Sequence, residues 1–304
     1  VKHAPAASVP RRSVRRRSVL RRAALVLGGA ALTGGLIAAQ VPPQVYAGDL
    51  FGPMRAPGDA AFTVGHRGDR ASAPENTMAS LELAMDELAY VETDVRLTRD
   101  GVPVLFHDVT LERIAGLERR IEDLAFDAVQ HLDVGAWYGD EFKGATVPTL
   151  DEFLAALAER PAARALVELK AGWDTDGVRT VAGLIDRYNL RTRVVLQSFS
   201  IDTLLAIRAA SPSTPRIMLT RELPADPRPL ADQLGVIGFA TTIAAVRREP
   251  DAVDLLHEAG LAVLCYTLNS DTDWAEVREL GVDGIITDEP SDLDAWLAVT
   301  SPGT

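Results

Sequence analysis

His66 and His107 each close a short apolar run, and Arg67, Glu92, Asp94, Glu168 and Lys170 stand in similar places. A charged side chain inside an apolar strand is costly unless it is paired or bound to a metal, so these placements point to a site. Glu92 and Asp94 are two apart and leave one face of a strand, as do Glu168 and Lys170. Three converging carboxylates repel one another unless a cation lies among them. All-oxygen ligation selects one hard divalent cation, Ca²⁺ or Mg²⁺, over zinc. The plainer alternative is that the acids pair with Arg96 or Lys170. Two imidazoles in opposite protonation states can act as base and acid, while Arg67 and Lys170 offer fixed positive charge to phosphoryl oxygens. With a metal as Lewis acid, the set suits cleavage of a phosphodiester by a hydroxyl or water.

Such groups converge only if a fold carries them to one place. From residue 62 onward, apolar or β-branched runs alternate with helical patterns, the signature of repeated βα units. Eight strands are expected, at Phe62–Gly65, Tyr90–Val95, Ala165–Lys170, Val194–Ser198, Arg216–Leu219, Val236–Ala240, Leu261–Thr267 and Gly284–Thr287. The fold class expected is α/β, a closed (β/α)8 TIM-type barrel whose reactive groups gather at the C-terminal strand ends. Residues 96–150 break the rhythm and form an insertion after the second barrel strand. Asp100-Gly101 before the apolar run Val102–Phe106 predicts a hairpin with a two-residue turn, which sets Asp94 opposite His107.

The chain has 304 residues, 47% of them hydrophobic and 24% charged, which suits a single large core. Eight basic residues (Lys2, Arg11, Arg12, Arg15, Arg16, Arg17, Arg21 and Arg22) precede the first acid, Asp49. Setting them aside leaves 23 basic residues against 43 acids, a balance of about −20 that argues against nucleic acid as a partner. The lone Cys265 excludes an intrachain disulfide and reads as core packing. His3 falls in the N-terminal segment. His131 and His257, in helical patterns with acidic neighbours, read as solvated or capping residues.

Residues 11–22 are arginine-rich and precede the uncharged run Ala23–Val45, the grammar of an export signal. Arg16-Arg17-Ser18-Val19-Leu20 resembles a twin-arginine signal, which implies the twin-arginine export machinery as a partner. Val45-Tyr46-Ala47 offers cleavage after Ala47, and an uncleaved anchor over Ala23–Ala39 is the alternative. The domains expected are a leader over 1–47, a linker over 48–61, the barrel over 62–298 and a tail over 299–304. The protein is then exported, to the medium, periplasm or cell envelope, with membrane contact only through the leader or through a lipid substrate.

Over residues 62–290 the sequence resembles the glycerophosphodiester phosphodiesterase family. The resemblance rests on His66-Arg67-Gly68 followed by Pro74-Glu75-Asn76-Thr77, then Glu92-Thr93-Asp94-Val95, Asp100-Gly101 and His107 to Arg113 in order. Val147 to Glu152, Val167-Glu168-Leu169-Lys170, Ser198-Phe199 and Asp283 to Asp288 complete it. It implies metal ligation by Glu92, Asp94 and Glu168, acid–base catalysis by His66 and His107, and phosphate contacts from Arg67 and Lys170. The implied reaction takes a small-molecule glycerophosphodiester to glycerol 3-phosphate and a free alcohol. Tyr266-Thr267-Leu268-Asn269 departs from the family, which often has tryptophan first, and Ile114-Ala115 replaces threonines in what reads as a loop.

Tyr266, Asn269 and Trp137 are candidates for the substrate pocket. Glu75 and Asn76 read chiefly as loop-fixing and capping residues. Two other functions stay open: an exported phosphodiesterase acting on lysophospholipids or a wall polymer, and a non-catalytic barrel that captures phosphodiesters.

Overall fold

Alternation along the strands decides which side chains fill the barrel and which face the helices around it. In the computed structural model, which describes residues 45–170 and 172–301, eight parallel strands close on themselves. They are β1 (Phe62–Gly65), β2 (Tyr90–Leu97), β4 (Arg164–Leu169), β5 (Val194–Ser198), β6 (Arg216–Leu219), β7 (Gly238–Thr241), β8 (Ala262–Cys265) and β9 (Gly284–Thr287). A short β3 (Pro103–Leu105) pairs antiparallel with β2 outside the ring. The β1–β2 and β1–β9 pairings close the barrel, which is the expected (β/α)8 architecture. The bounds of β2, β4, β7 and β8 differ by a few residues from those read in the sequence, since strand ends carry the weakest apolar signal.

Val64, Tyr90, Leu166, Val195, Ile217, Leu264 and Ile286 form one buried cluster inside the barrel. Two residues further along those strands, on the same inward rows, stand His66, Glu92, Glu168, Gln197, Leu219, Tyr266 and Asp288. The barrel is thus apolar at its base and mostly polar at its C-terminal mouth. A larger shell of Leu, Val and Phe side chains seals the strands against the surrounding helices and includes the buried Cys265.

Residues 48–61 are not the linker expected. A short helix, Ala47–Phe51, presses its apolar side chains into the base of the barrel. Phe51 stacks on Phe62 at 5.3 Å, and the Tyr90 hydroxyl donates to the Leu50 carbonyl at 2.6 Å. An open barrel base would expose Val64 and Tyr90 to water, which is the physical reason this segment docks. Residues 1–44 of the expected leader, with the twin-arginine motif, lie outside the described residues. Among those described, no helix is long and apolar enough to cross a membrane.

The hairpin register is also corrected. β3 pairs Val95 with Leu105, so Phe106, not His107, stands beside Asp94, and its amide donates to the Asp94 carbonyl at 3.0 Å. The cause is the turn. Thr98 N donates to Val102 O at 3.0 Å and Gly101 N to Thr98 O at 2.9 Å, enclosing Arg99, Asp100 and Gly101. Gly101, at φ +81°, supplies the left-handed residue that ends a three-residue loop. A tight two-residue turn would have needed both central residues left-handed.

The insertion carries its own small core, in which Val104, Phe106, Leu111 and Ile121 are buried. Ile114 belongs to that core within the helix Glu112–Ala115, so the Ile114-Ala115 departure is a packing change and not a loop change. His257 is no solvated residue either. Its Nε2 lies 2.9 Å from the buried Asp283, which also accepts Arg55 N and Val263 N at the base of β9.

Candidate active site

The first strand delivers His66-Arg67-Gly68 to the mouth through a turn that few residues tolerate. Arg67 is left-handed at φ +59°, and Gly68 follows at φ +90°. A Cβ on Gly68 would meet the Ser80 backbone at 2.5 Å, so only glycine fits. In this turn Arg67 N points back to Glu92 Oε2 at 3.0 Å.

Glu92, Asp94 and Glu168 are brought together as expected, all buried, with ligand oxygens within 4.8 Å of one another. Asp94 is in register with Glu168 on β4, and Glu168 with Gln197 on β5, which makes one inward-facing polar row across three strands. Arg96 does not reach the trio and pairs with Glu122 at 2.7 Å. Lys170 Nζ bridges Asp94 at 3.2 Å and Glu168 at 3.0 Å, while Arg67 Nε lies 3.3 Å from Asp94. Asn76, left-handed at φ +54°, donates to Asp94 Oδ2 at 2.9 Å and accepts from Thr93 Oγ1 at 2.7 Å. The capping residue of the next helix is Thr77, so Asn76 fixes Asp94 instead of the helix end.

Two cations do not balance this cluster. Burial, then the neighbouring Asp94 charge, lift Glu168 to about 7. The same causes raise Glu92 well above the ordinary carboxylate range, whereas Lys170 and Arg67 hold Asp94 far below it despite its burial. Gln197 donates to Glu92 Oε1 at 3.2 Å, and its own buried Oε1 has no partner. A buried carbonyl oxygen without a donor, beside acids raised above their usual range by burial and mutual repulsion, fits a cation. Oxygens across a Ca²⁺ ion stand at about twice a 2.3–2.6 Å bond, so the spacing of the trio suits a hard divalent ion. The trio can therefore hold one.

Both histidines are aimed by an aspartate that sequence reasoning passed over. His66 Nδ1 lies 2.6 Å from Asp288 Oδ1, and His107 Nδ1 lies 2.7 Å from Asp108 Oδ1. With Nδ1 engaged, each Nε2 is left for chemistry. Asp288 and Asp108 are each drawn down to about 2 despite partial burial, chiefly by hydrogen bonds from His66 and from Arg113 respectively. Burial is the largest cause lowering both imidazoles, with Arg67 adding repulsion. Both shifts favour the neutral imidazoles in the free site.

Glu75 ties the two arms together. It accepts from Arg67 at 2.7 Å, from Arg113 at 2.7 Å and pairs with Arg70 at 3.2 Å. Arg113 continues to Asp108 at 2.7 Å, and Arg70 to Asp288 at 3.3 Å. One buried carboxylate thus orients both histidine–aspartate pairs and Arg67.

A cavity of about 830 Å³ opens over this set, lined by His66, Arg67, Glu92, His107, Glu168 and Lys170 among others. Tyr266 lines it too, its hydroxyl bonded to Thr220 O at 2.8 Å. Asn269 and Trp137 are not in that lining. Asn269 instead clamps Asp288, donating to Oδ2 and accepting from the Asp288 amide, both at 2.9 Å. Trp137 covers Arg113, whose guanidinium lies 5.6 Å from its ring.

The model of the glycerophosphoryl diester phosphodiesterase family matches residues 66–292. A glycerophosphodiester phosphodiesterase of Caldanaerobacter subterraneus subsp. tengcongensis is 29% identical, over 76% of this chain and 96% of that protein. The structure of an Oleispira antarctica phosphodiesterase in complex with the product sn-glycerol-3-phosphate is similar at TM-score 0.73 and 26% identity, covering 78% of this chain and 96% of that one. A glycerophosphodiester phosphodiesterase structure from Agrobacterium tumefaciens matches at TM-score 0.69 and 30% identity, over 78% and 100% of the two chains. Since the family match spans both histidines and all three acids, the chain belongs to the glycerophosphoryl diester phosphodiesterase family and is a phosphoric diester hydrolase.

Proposed function

We propose that this protein hydrolyses glycerophosphodiesters to glycerol 3-phosphate and an alcohol, with one Ca²⁺ or Mg²⁺ ion held by Glu92, Asp94 and Glu168. The observation that carries the reading is the pair of aspartate-aimed imidazoles facing a buried acidic trio across one cavity. Arg67 and Lys170 turn positive charge toward the bound phosphate. His66 and His107 share the two proton transfers, one taking a proton at Nε2 from the attacking hydroxyl or water, the other giving one to the leaving alkoxide. The phosphate anion between them favours protonation of one imidazole, which supplies the asymmetry that the acid and base roles need. When bound, the cation supplies Lewis-acid neutralisation of the phosphoryl oxygens.

The test is release of glycerol 3-phosphate from glycerophosphoglycerol by the full chain with either ion. Steady release supports the reading, and its absence with both ions ends it. Val109 and Phe199, exposed at the mouth, favour a second reading in which a lysophospholipid is cut. Lysophosphatidylglycerol in the same assay decides between them: cleavage at least as fast as the water-soluble ester would carry the lipid reading, and negligible cleavage would end it.

Export is proposed on the arginine-rich leader alone, with the twin-arginine machinery as the partner and the cell envelope or beyond as the destination. Replacing Arg16 and Arg17 by lysine should then retain the protein in the cytoplasm, as fractionation of the producing cells would report. Unchanged export of that variant would remove the proposal.

A further inference from the structure

The substrate pocket has two unlike halves. His66 ends β1, whereas Arg221 stands two residues beyond β6, which lies four strands from β1 either way round the barrel. A phosphate held by the histidines and the acids therefore extends any substituent that crosses the mouth toward Arg221. Arg221 is exposed on the pocket rim, its guanidinium carbon 5.4 Å from the Phe199 ring centroid. Phe199 in turn meets the ring of Tyr266 edge-on at 5.8 Å.

The other cations of the pocket are already committed. Arg67 serves Glu75 and Asp94, Arg96 serves Glu122, and Lys170 serves Asp94 and Glu168. Among the described residues, Arg221 pairs with no carboxylate. The carboxylates of the pocket are equally occupied: Glu92 and Glu168 belong to the metal set, and Asp108 is held by His107 and Arg113. A quaternary ammonium would find no unclaimed acid here, and the Phe199 face on which it could rest already carries a guanidinium. An anionic group would find a free arginine fork and no competing acid.

We propose that the leaving alcohol this barrel prefers carries negative charge, a carboxylate or a phosphate received by Arg221, and that choline esters are poor substrates. The proposal rests on the hydrolase reading above and names the chemistry of its alcohol. The experiment compares three glycerol 3-phosphate diesters whose alcohols are choline, glycolate and glycerol phosphate, using the full chain with Ca²⁺ or Mg²⁺. The expected kcat/KM for at least one anionic ester exceeds that for the choline ester by about tenfold or more, the scale of one charge-assisted hydrogen bond. Whether glycolate or glycerol phosphate gains tells a carboxylate preference from a phosphate one. Arg221→Gln should shrink the ratio by about tenfold, mainly through KM, and Arg221→Lys should restore part of it. A choline ester turned over as well as both anionic esters, or a ratio that Arg221→Gln leaves unmoved, overturns the proposal. If no ester is cleaved, the hydrolase reading falls, and calorimetry still decides the subsite. Glycerol bisphosphate should bind more tightly than phosphocholine and lose that advantage in Arg221→Gln, while equal binding refutes it.

Discussion

Alanine at His66 or at His107 is expected to lower kcat by about 10²- to 10⁴-fold, the range that a positioned proton transfer contributes. Each ring sits at the cavity edge with Nδ1 held by its aspartate, so its removal opens space at the mouth without emptying a core position. KM should move far less than kcat, because phosphate affinity is assigned to Arg67, Lys170 and the cation. The double variant should be little worse than either single one, since one turnover needs both transfers. Burial lowers both imidazoles, and a bound cation pushes the same way, so the acid limb of kcat/KM should fall below the ordinary imidazole value of about 6.5. Steady-state kinetics across pH checks both points. A single variant retaining wild-type kcat would remove that histidine from the reaction.

Withdrawal of the divalent ion is expected to cost at least about 10³-fold in turnover, roughly 4 kcal/mol at 1.36 kcal/mol per tenfold. Lys170 and Arg67 cannot replace it, because Asp94 offsets part of the charge they turn to the phosphate and Glu75 also draws on Arg67. Without the ion, Glu92 and Glu168 take up protons, and the site loses the charge that faces the phosphate. The same coupling reads out without any turnover. Glu168 has a pKa of about 7 in the fold against an unfolded value of about 4.3, so it binds a proton more tightly when folded. The stability this adds is full below the unfolded value and is lost as pH rises through about 7. A cation replaces that proton, so added Ca²⁺ or Mg²⁺ should raise Tm more at about pH 8 than at about pH 6. An equal or opposite shift would mean that the trio does not exchange protons for the ion.

Much of this site could be read from residue types because strands advertise themselves by alternation. Glu92, Asp94 and Glu168 stood out as charges on otherwise apolar inward rows, and their convergence needed only a closed barrel. Asp288 lay on such a row too, two residues past Ile286, and the same alternation could have found it. Gln197 was harder. Its neighbourhood with Glu168 depends on register between strands, which no single strand encodes. The hub at Glu75 was hidden for another reason: Arg113 lies 38 residues away in sequence, in an insertion whose path only packing decides. Glu75 and Asn76 looked like loop residues because their partners were out of sight. The helix Ala47–Phe51 was missed because five residues at the end of the expected leader carry no period of their own, although their apolar faces fill the barrel base. The hairpin slipped by one residue because Asp-Gly fits both a two-residue and a three-residue turn.

The most direct test of the account is glycerol 3-phosphate release from glycerophosphoglycerol by protein stripped of divalent ions and then resupplied with Ca²⁺ or Mg²⁺. A cation gripped by Glu92, Asp94 and Glu168 predicts release at background in chelator and its return with one of the two ions. Undiminished release in chelator would contradict it.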